Sequence, residues 1–178
     1  KIRPVFVHTG QHADAVMTSD IWHDLGLPKP DHVLGWKSCE TRDPMAKMMQ
    51  AYEALCHDLR PDMVLVVGDV TSSLAAAMVA AEMRIPIVHL EAGLRCFDPA
   101  MPEEQNRIAI DHRADLLLTP SMDADDNLRA EGIAPNRIKL VGNIMADTLS
   151  MMGAQIEKAD IVGKAGLKKR RYVLATIH

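Results

Sequence analysis

Two acidic residues follow predicted buried strands. Asp69 comes after the apolar run at 63–67 through Gly68, and Glu91 directly follows a second apolar run at 85–90. A carboxylate at the exit of an apolar strand loses hydration energy unless it is paired or used, which favours a functional role for both. Carboxylates at such positions can move protons as a general acid or base. The structural alternative for Asp69 is a turn or capping residue.

A second pair of acids, Glu103 and Glu104, opens a predicted helix after a proline-containing loop. The acids thus lie at three places in the chain, which are Asp69, Glu91 and this pair, and all three can converge on one cleft. Acids in the first turn of a helix are also favoured by the helix dipole alone, so a purely structural role stays open for both glutamates.

The basic residues near these acids are Arg95 and Arg107. They are the obvious cationic partners, either in structural ion pairs or as clamps for a phosphate group. His89 alternates into a predicted strand, and we interpret it as a hydrogen-bonded core histidine. We interpret His8 in the same way.

The predicted strands end in turns that suit a ligand site. The carboxyl ends of parallel strands meet at one edge of a sheet, where α/β proteins bind ligands. Glycines in these turns let backbone amides approach a ligand, and the helix after Asp69 offers its positive end to phosphate. The pattern therefore predicts a phosphorylated or nucleotide-linked small molecule, although neither a P-loop nor a GxGxxG motif is present. The turns are 10–12, 68–69, 91–93, 120–121 and 142–143.

The elements that must position these residues alternate between strand and helix. This order, with an aromatic content of only 3%, predicts an α/β fold with a Rossmann-like parallel sheet and helices on both faces. A Met-rich stripe at helical spacing after Pro44 predicts a core-facing helix capped by Thr41 or Asp43 and ending before Pro61. A loop rich in Pro, Gly and Asp follows the first predicted helix. The strands are predicted at 5–9, 63–67, 85–90, 116–119 and 138–141, and the helices at 14–25, 44–60, 72–83, 102–112 and 121–131.

Composition excludes several classes of protein. The 178 residues carry a formal charge of −4 without a basic face, which argues against nucleic acid as a partner. No apolar run approaches the roughly 20 residues that cross a bilayer, which argues against a membrane protein. The three cysteines, Cys39, Cys56 and Cys96, have neither metal-ligand spacing nor a CxxC pair, so we expect no metal site and a reducing, cytoplasmic location.

Five segments carry a family resemblance. Their order and spacing resemble those of the non-hydrolysing UDP-N-acetylglucosamine 2-epimerases over nearly the whole chain. Each motif alone is weak, but the set is specific. The segments are TGQH at 9–12, GDVTSS at 68–73, HLEAGLRCFD at 89–98, MPEEQNR at 101–107 and VGNIMADTL at 141–149.

The resemblance implies a two-domain fold of the glycosyltransferase-B type. Residues 1–150 would form the amino-terminal domain without its first strand and GTRPE loop, and 151–178 the connection to a second domain. Residues 172–178 resemble the strand and first residue of the HR-x-EN motif of that second domain. Both ends therefore look cut from a longer protein, and the chain alone is expected to be an inactive fragment.

The resemblance also implies a reaction. The family eliminates UDP to give a 2-acetamidoglucal and then adds UDP back, with the proton delivered to the opposite face. Asp69, Glu91 and Glu103 resemble the essential acids and His178 the histidine of the second domain. We hypothesise that Glu91 and Glu103 handle the C2 proton, while Asp69 assists C1–O cleavage or positions the sugar. The expected substrate-binding residues are Gln11, His12, Arg95, Glu104 and Arg107.

The resemblance implies a UDP-sugar substrate, a homodimer and neither a cofactor nor a metal. Many bacterial members have TAQH-R-x-M and are activated by substrate; the stretch at 9–17 lacks that basic residue, so this regulation is not implied. The TGQH form also resembles relatives acting on UDP-2,3-diacetamido-glucuronate. The PEEQNR segment differs from that of the hydrolysing epimerases. A glycosyltransferase of the same fold and a non-catalytic nucleotide-sugar binder are the remaining alternatives.

Overall fold

The computed structural model describes residues 2–10, 22, 25–35, 43–168 and 170–176. The predicted helix at 14–25 lies almost wholly outside these residues, as do Gln11, His12 and His178. The chain divides into two compact units, Lys1–Asn143 and Ile144–His178. All of the candidate acids lie in the first unit.

The first unit is built on parallel strands. A pair is formed by β1 (Val7–His8) and β2 (His32–Val33), and a four-stranded sheet has the order β3-β4-β5-β6. Every strand pairing is parallel, which confirms the predicted α/β class. The four strands of the larger sheet are β3 (Val64–Val67), β4 (Ile87–Leu90), β5 (Leu116–Thr119) and β6 (Ile138–Leu140).

Helices connect the strands, as the alternating pattern predicts. Among the described residues of the first unit they are α1 (Pro44–Leu59), α2 (Thr71–Glu82), α3 (Pro102–Arg113) and α4 (Met122–Ala130), followed by a short 3-10 helix (Pro135–Arg137). The second unit contains α5 (Ile144–Lys158) and α6 (Ile161–Lys164). Within the described ranges, no helix is both long and apolar enough to cross a membrane.

One prediction about where the strands lie is wrong. Strand β2 lies in the stretch predicted to be a loop; it is only two residues long, too short for a periodic pattern to reveal. It is held by backbone Phe6 N, which donates to the Asp31 carboxylate at 2.7 Å. Residues 172–176, predicted as the first strand of a second domain, are not in strand conformation in the described part of the chain, and the second domain itself stays a prediction.

The start and the buried face of α1 follow from its sequence. The Asp43 carboxylate accepts a hydrogen bond from Ala46 N at 3.0 Å, which confirms the predicted N-cap, and Pro44 occupies the first turn. Met48, at the centre of the Met stripe, is 1% exposed, so the stripe is core as predicted. The helix ends at Leu59, and the C-cap residue Arg60 has a left-handed backbone and donates from its N to Cys56 O.

Gly93 allows close packing of the turn after β4 against α4. Its φ is +79°, and a Cβ there would lie 2.5 Å from the backbone oxygen of Ala124. We expect Gly93→Ala to lower the free energy of unfolding by about 3 kcal/mol, because it adds backbone strain and a clash that a backbone atom must relieve. The matched control is Gly132→Ala, since Gly132 has φ +82° but open space around its Cβ position.

Gly132→Ala carries the conformational strain alone and is expected to cost about 1 kcal/mol. Urea unfolding of the protein that contains this chain measures both values. Equal losses in the two variants would contradict the packing argument.

Candidate active site

Asp69 and Glu91 emerge from neighbouring strands. Val67 and Leu90, the last residues of β3 and β4, are paired in register, and Gly68 N donates to Leu90 O at 3.0 Å. Because the strands are parallel, the two acids leave the sheet at the same edge. The structure therefore brings these two predicted residues together.

The backbone of Glu91 is held in an unusual conformation. Its φ is +70°, in the left-handed region that non-glycine residues seldom adopt and that is concentrated at functional sites. The side chain lies against Gly68, where an added Cβ would be 3.0 Å from Oε2 of Glu91. Glycine at 68 thus leaves room for the Glu91 carboxylate beside Asp69.

Arg107 on α3 joins the two acids. Its Nη2 lies 2.6 Å from Oδ2 of Asp69 and 3.6 Å from Oε2 of Glu91. The adjacent Asn106 donates from Nδ2 to the backbone oxygen of Asp69 at 2.8 Å, which fixes the turn that carries the acid. One positive charge therefore faces two negative charges that both remain partly exposed to solvent.

The two adjacent glutamates at the start of α3 have different surroundings. Glu103 is exposed, whereas Glu104 is only 4% exposed and accepts hydrogen bonds from Cys96 N at 3.0 Å and Phe97 N at 2.9 Å. Burial alone would raise the pKa of Glu104, but these backbone donors and the nearby Arg95 outweigh it, so the pKa lies below its ordinary value. Glu104 therefore holds the loop before α3, and Glu103 is available at the surface.

The lowered pKa of Glu104 predicts an acid-dependent contribution to stability. The pKa of Glu104 is lower in the folded protein than in the unfolded chain, where it is about 4.3. The ionised carboxylate therefore stabilises the fold fully at pH values above the unfolded pKa, and this stabilisation is lost as the pH falls through the folded-state pKa. We expect Glu104→Gln to cost about 1–3 kcal/mol at neutral pH, because the amide replaces a charged acceptor of two backbone bonds. The difference from wild type should shrink below about pH 5. Urea unfolding against pH measures it, and a pH-independent difference would contradict the assignment.

Arg95 lies in a buried ion pair. Its side chain is 1% exposed, and its Nε and Nη2 atoms donate to the two carboxylate oxygens of Glu131 at 2.7 and 2.8 Å. Its Nη1 lies 2.8 Å from Oδ2 of Asp111. Burial by itself would lower the pKa of Arg95, but the two carboxylates raise it above its ordinary value. Of the two roles predicted for Arg95, the structure shows the ion pair.

The two histidines with predicted core roles differ. His89 is completely buried and hydrogen-bonded at both ring nitrogens, which confirms the prediction. His8 is only half-buried, and its ring meets the Trp22 ring edge-on with 5.6 Å between centroids, so the prediction of a core histidine is wrong there. Both residues of β1, Val7 and His8, are only partly buried.

Helix α2 begins two residues after Asp69. Its N-cap residue, Val70, makes no side-chain capping bond, and Ser73 Oγ instead donates to Val67 O at 2.6 Å. The positive end of the helix dipole is thus placed next to the acid cluster, where it favours an anion. Within the described ranges, no group of three or more potential metal ligands lies close enough together to hold a metal ion.

The sequence matches, over residues 1–178, the family described as UDP-N-acetylglucosamine 2-epimerase. The chain belongs to this epimerase family. It is 39% identical over 176 residues to a UDP-N-acetylglucosamine 2-epimerase homolog of Methanococcus maripaludis, covering 98% of this chain and 49% of the relative. A UDP-2,3-diacetamido-2,3-dideoxy-D-glucuronate 2-epimerase of Pseudomonas aeruginosa is also 39% identical, over 177 residues, with the same coverage. The chain thus spans about half the length of the curated relatives it matches.

Solved epimerase structures have the same fold. The Methanocaldococcus jannaschii UDP-GlcNAc 2-epimerase in complex with UDP-GlcNAc and UDP matches with a TM-score of 0.84 and 37% identity, over 89% of this chain and 44% of the solved chain. The UDP-N-acetylglucosamine 2-epimerase from Rickettsia bellii matches with a TM-score of 0.82 and 34% identity, over 91% and 43%. These matches confirm the predicted α/β fold of the glycosyltransferase-B type.

Two residues that organise this epimerase-family site were not identified from sequence. Asn106 fixes the Asp69 turn, and Asp111 contacts Arg95 and His89. A signal for Asp111 exists, because Glu104, Arg107 and Asp111 follow one another at spacings of three and four on α3. Charged residues at this spacing share one helix face, and a charged face that also turns inward indicates buried ion pairs.

Proposed function

We propose that the protein containing this chain is a non-hydrolysing epimerase that converts UDP-N-acetylglucosamine to UDP-N-acetylmannosamine. The observation that carries the proposal is the joining of Asp69 and Glu91, at the ends of neighbouring strands, by the single guanidinium of Arg107. Membership of the epimerase family supports the substrate.

The chemistry explains why carboxylates are required. The C2 proton of an N-acetylhexosamine has no adjacent carbonyl, so simple deprotonation and reprotonation is unfavourable. In the proposed route a base removes the C2 proton as the C1–O bond to UDP breaks, giving a C1=C2 double bond and free UDP. UDP oxygen then re-forms the bond to C1 while an acid delivers a proton to the other face of C2.

This route requires acid and base groups on opposite faces of the sugar ring. Glu91 and Glu103 are the proposed pair, since one follows a strand and the other is exposed on the first turn of α3. Asp69 is proposed to assist C1–O cleavage or to position the sugar, with Arg107 neutralising charge beside it. The positive end of α2 supports binding of the diphosphate nearby.

Other predicted site residues keep more limited roles. Gln11 and His12 are proposed to bind substrate and His178 to act in catalysis, on the resemblance of their motifs alone. Arg95 and Glu104 are engaged in the buried contacts described above, so we propose that both act by supporting the loop after Glu91.

A second candidate substrate is UDP-2,3-diacetamido-glucuronate. It is favoured by the Pseudomonas aeruginosa relative, which is as similar to this chain as the Methanococcus maripaludis homolog. The two substrates differ at C3 and C6 but not at C1 or C2, where the bonds break and form, so the same acids would serve for either.

The test uses the full-length protein with UDP-N-acetylglucosamine in deuterated water, followed by proton NMR. The proposal predicts the manno epimer with deuterium at C2 and with UDP retained. Inversion of only the diacetamido-glucuronate sugar would establish the second candidate. Product formed only when an acceptor is added would indicate a glycosyltransferase, and binding without exchange a non-catalytic binder.

We also propose that the full-length protein is a cytoplasmic homodimer. The family resemblance supports the dimer, and the described cysteines, Cys56 and Cys96, are free thiols, as a reducing compartment allows. Light scattering of the purified protein tests the dimer.

A further inference from the structure

His89 lies between two hydrogen-bond acceptors in the core. Its Nδ1 is 2.7 Å from Oδ1 of Asp111, and its Nε2 is 2.8 Å from the backbone oxygen of Gly68. The side chains of His89 and Asp111 are both completely buried, and both ring nitrogens of His89 have protein partners. The positions of the protons therefore follow from the partners.

The carbonyl of Gly68 can only accept, so Nε2 of His89 carries a proton. Oδ2 of Asp111 already accepts from Gly93 N at 3.1 Å and lies 2.8 Å from Nη1 of Arg95. A carboxylate that receives these donors at one oxygen and a ring nitrogen at the other is satisfied in its ionised form. With Nδ1 of His89 as the donor to that carboxylate, both ring nitrogens donate, which is the arrangement of an imidazolium cation.

The charges of the buried cluster agree with this assignment. His89 and Arg95 supply two positive charges, and Asp111 and Glu131 supply two negative charges, with contacts of 2.7–2.8 Å between them. Buried charges are tolerated when they are paired and hydrogen-bonded, and here every positive group has a carboxylate. Moving the proton from Nδ1 of His89 to Oδ1 of Asp111 would leave the net charge unchanged, but it would place a neutral carboxylic acid against the guanidinium of Arg95, whose contact favours the ionised form of Asp111.

The cluster brackets the proposed catalytic acids. His89 and Gly93 lie two residues before and after Glu91, and both bind Asp111. The other side of the ring holds the Gly68 carbonyl, which belongs to the peptide unit leading into Asp69. The turn of Glu91 is thus fixed on both sides in its left-handed conformation, and the ring ties it to the turn of Asp69.

We propose that His89 is a positioning residue: a buried imidazolium that locks together the two turns carrying Asp69 and Glu91. Its effect on catalysis rests on the proposed epimerase function, whereas its charge state does not. The ring touches backbone and Asp111, so it acts through the acids and not on the substrate.

The charge state is tested by nitrogen NMR of the full-length protein labelled with ¹⁵N-histidine. The His89 signals are those lost in His89→Asn. We expect both ring nitrogens to resonate in the protonated range at neutral pH, each with a slowly exchanging proton. One nitrogen in the unprotonated range would overturn the assignment.

The positioning role is tested by two variants that each keep one side of the ring. His89→Asn places an amide near Nδ1 and loses the bond to Gly68, whereas His89→Gln reaches towards Gly68 and weakens the bond to Asp111. We expect His89→Asn to lower kcat for C2 deuterium exchange by ~10²-fold, because a displacement of about 1 Å has that effect, with KM nearly unchanged. His89→Gln should recover part of this loss.

UDP binding measured by calorimetry verifies that each variant is folded. A kcat for folded His89→Asn within about threefold of wild type, or a rise in KM alone, would overturn the positioning role. If His89→Asn does not fold, His89→Gln and the ring spectrum carry the test. If the wild-type protein shows no exchange, the proposed function fails, but the spectrum still decides the charge of His89.

Discussion

Glu91→Gln in the full-length protein is expected to lower the rate of deuterium exchange at C2 by ~10³-fold, within the range of a lost general acid or base. The amide has nearly the size of the carboxylate, so the space beside Gly68 remains filled, but it cannot take up a proton. Proton NMR at saturating UDP-N-acetylglucosamine measures the rate, and UDP binding shows that the site is intact. The loss should therefore appear in kcat and not in KM.

The matched control is Glu82→Gln. Glu82 is exposed at the carboxyl end of α2, whereas Asp69 lies just before the start of that helix. The control should exchange at the wild-type rate. A Glu91→Gln protein that exchanges within about tenfold of wild type would exclude Glu91 from proton transfer.

Corresponding amide variants separate the other roles. Glu103→Gln should also lose exchange if it shares the C2 proton with Glu91, while Asp69→Asn should slow the release of the glycal and UDP. Equal loss of both signals in all three variants would leave the acids acting as one unit.

Helix α3 connects the front and the back of the site. Arg107 faces Asp69 and Glu91, and Asp111, one turn later on the same helix, binds His89 and Gly93 on the buried side. The turn of Glu91 is therefore held between two charged residues of one rigid element. A small movement of α3 changes both contacts together.

The sheet could be predicted from sequence because its strands are apolar and end in turns that contain glycine, proline or an acidic residue. Strands β3 to β6 lie within the predicted ranges; β5 has the predicted bounds, and β3, β4 and β6 are one or two residues shorter. Strand β2 could not be predicted, because two residues between prolines and glycines carry no pattern of their own. Its pairing depends on the position of β1.

The part of the candidate site that could be predicted is the part that local sequence and strand order determine. Asp69 and Glu91 come just after β3 and β4, and sheet geometry alone brings them together. The prediction that the strand before Asp69 is buried on both faces is wrong, since Leu65 and Val67 leave one face of β3 exposed. The different surroundings of Glu103 and Glu104 could not be predicted, because adjacent residues on a helix point about 100° apart and only packing shows which one faces inward. Arg95 was ambiguous for the same reason, since its partner Glu131 is 36 residues away.

Asp111 tests how much the buried cluster contributes to stability. Replacing it with Asn should lower the free energy of unfolding by about 3–5 kcal/mol, the usual effect of removing one partner from a buried ion pair. In either orientation the Asn side-chain NH2 group, itself a donor, would face another donor. In one orientation it faces Gly93 N and Arg95, and in the other it faces the ring of His89. Arg95 keeps Glu131, so the larger part of the loss falls on the His89 side.

The control for this variant is Asp126→Asn, which removes the same charge from an exposed pair. Asp126 is 75% exposed and lies 2.9 Å from Arg129, so its loss should cost less than about 1 kcal/mol. Urea unfolding of both full-length variants gives the comparison. If Asp111→Asn lowers the free energy of unfolding as little as Asp126→Asn does, the buried cluster does not rigidly hold the Glu91 turn. Removing the charge of Asp111 from a rigid, buried cluster must cause a large loss of stability.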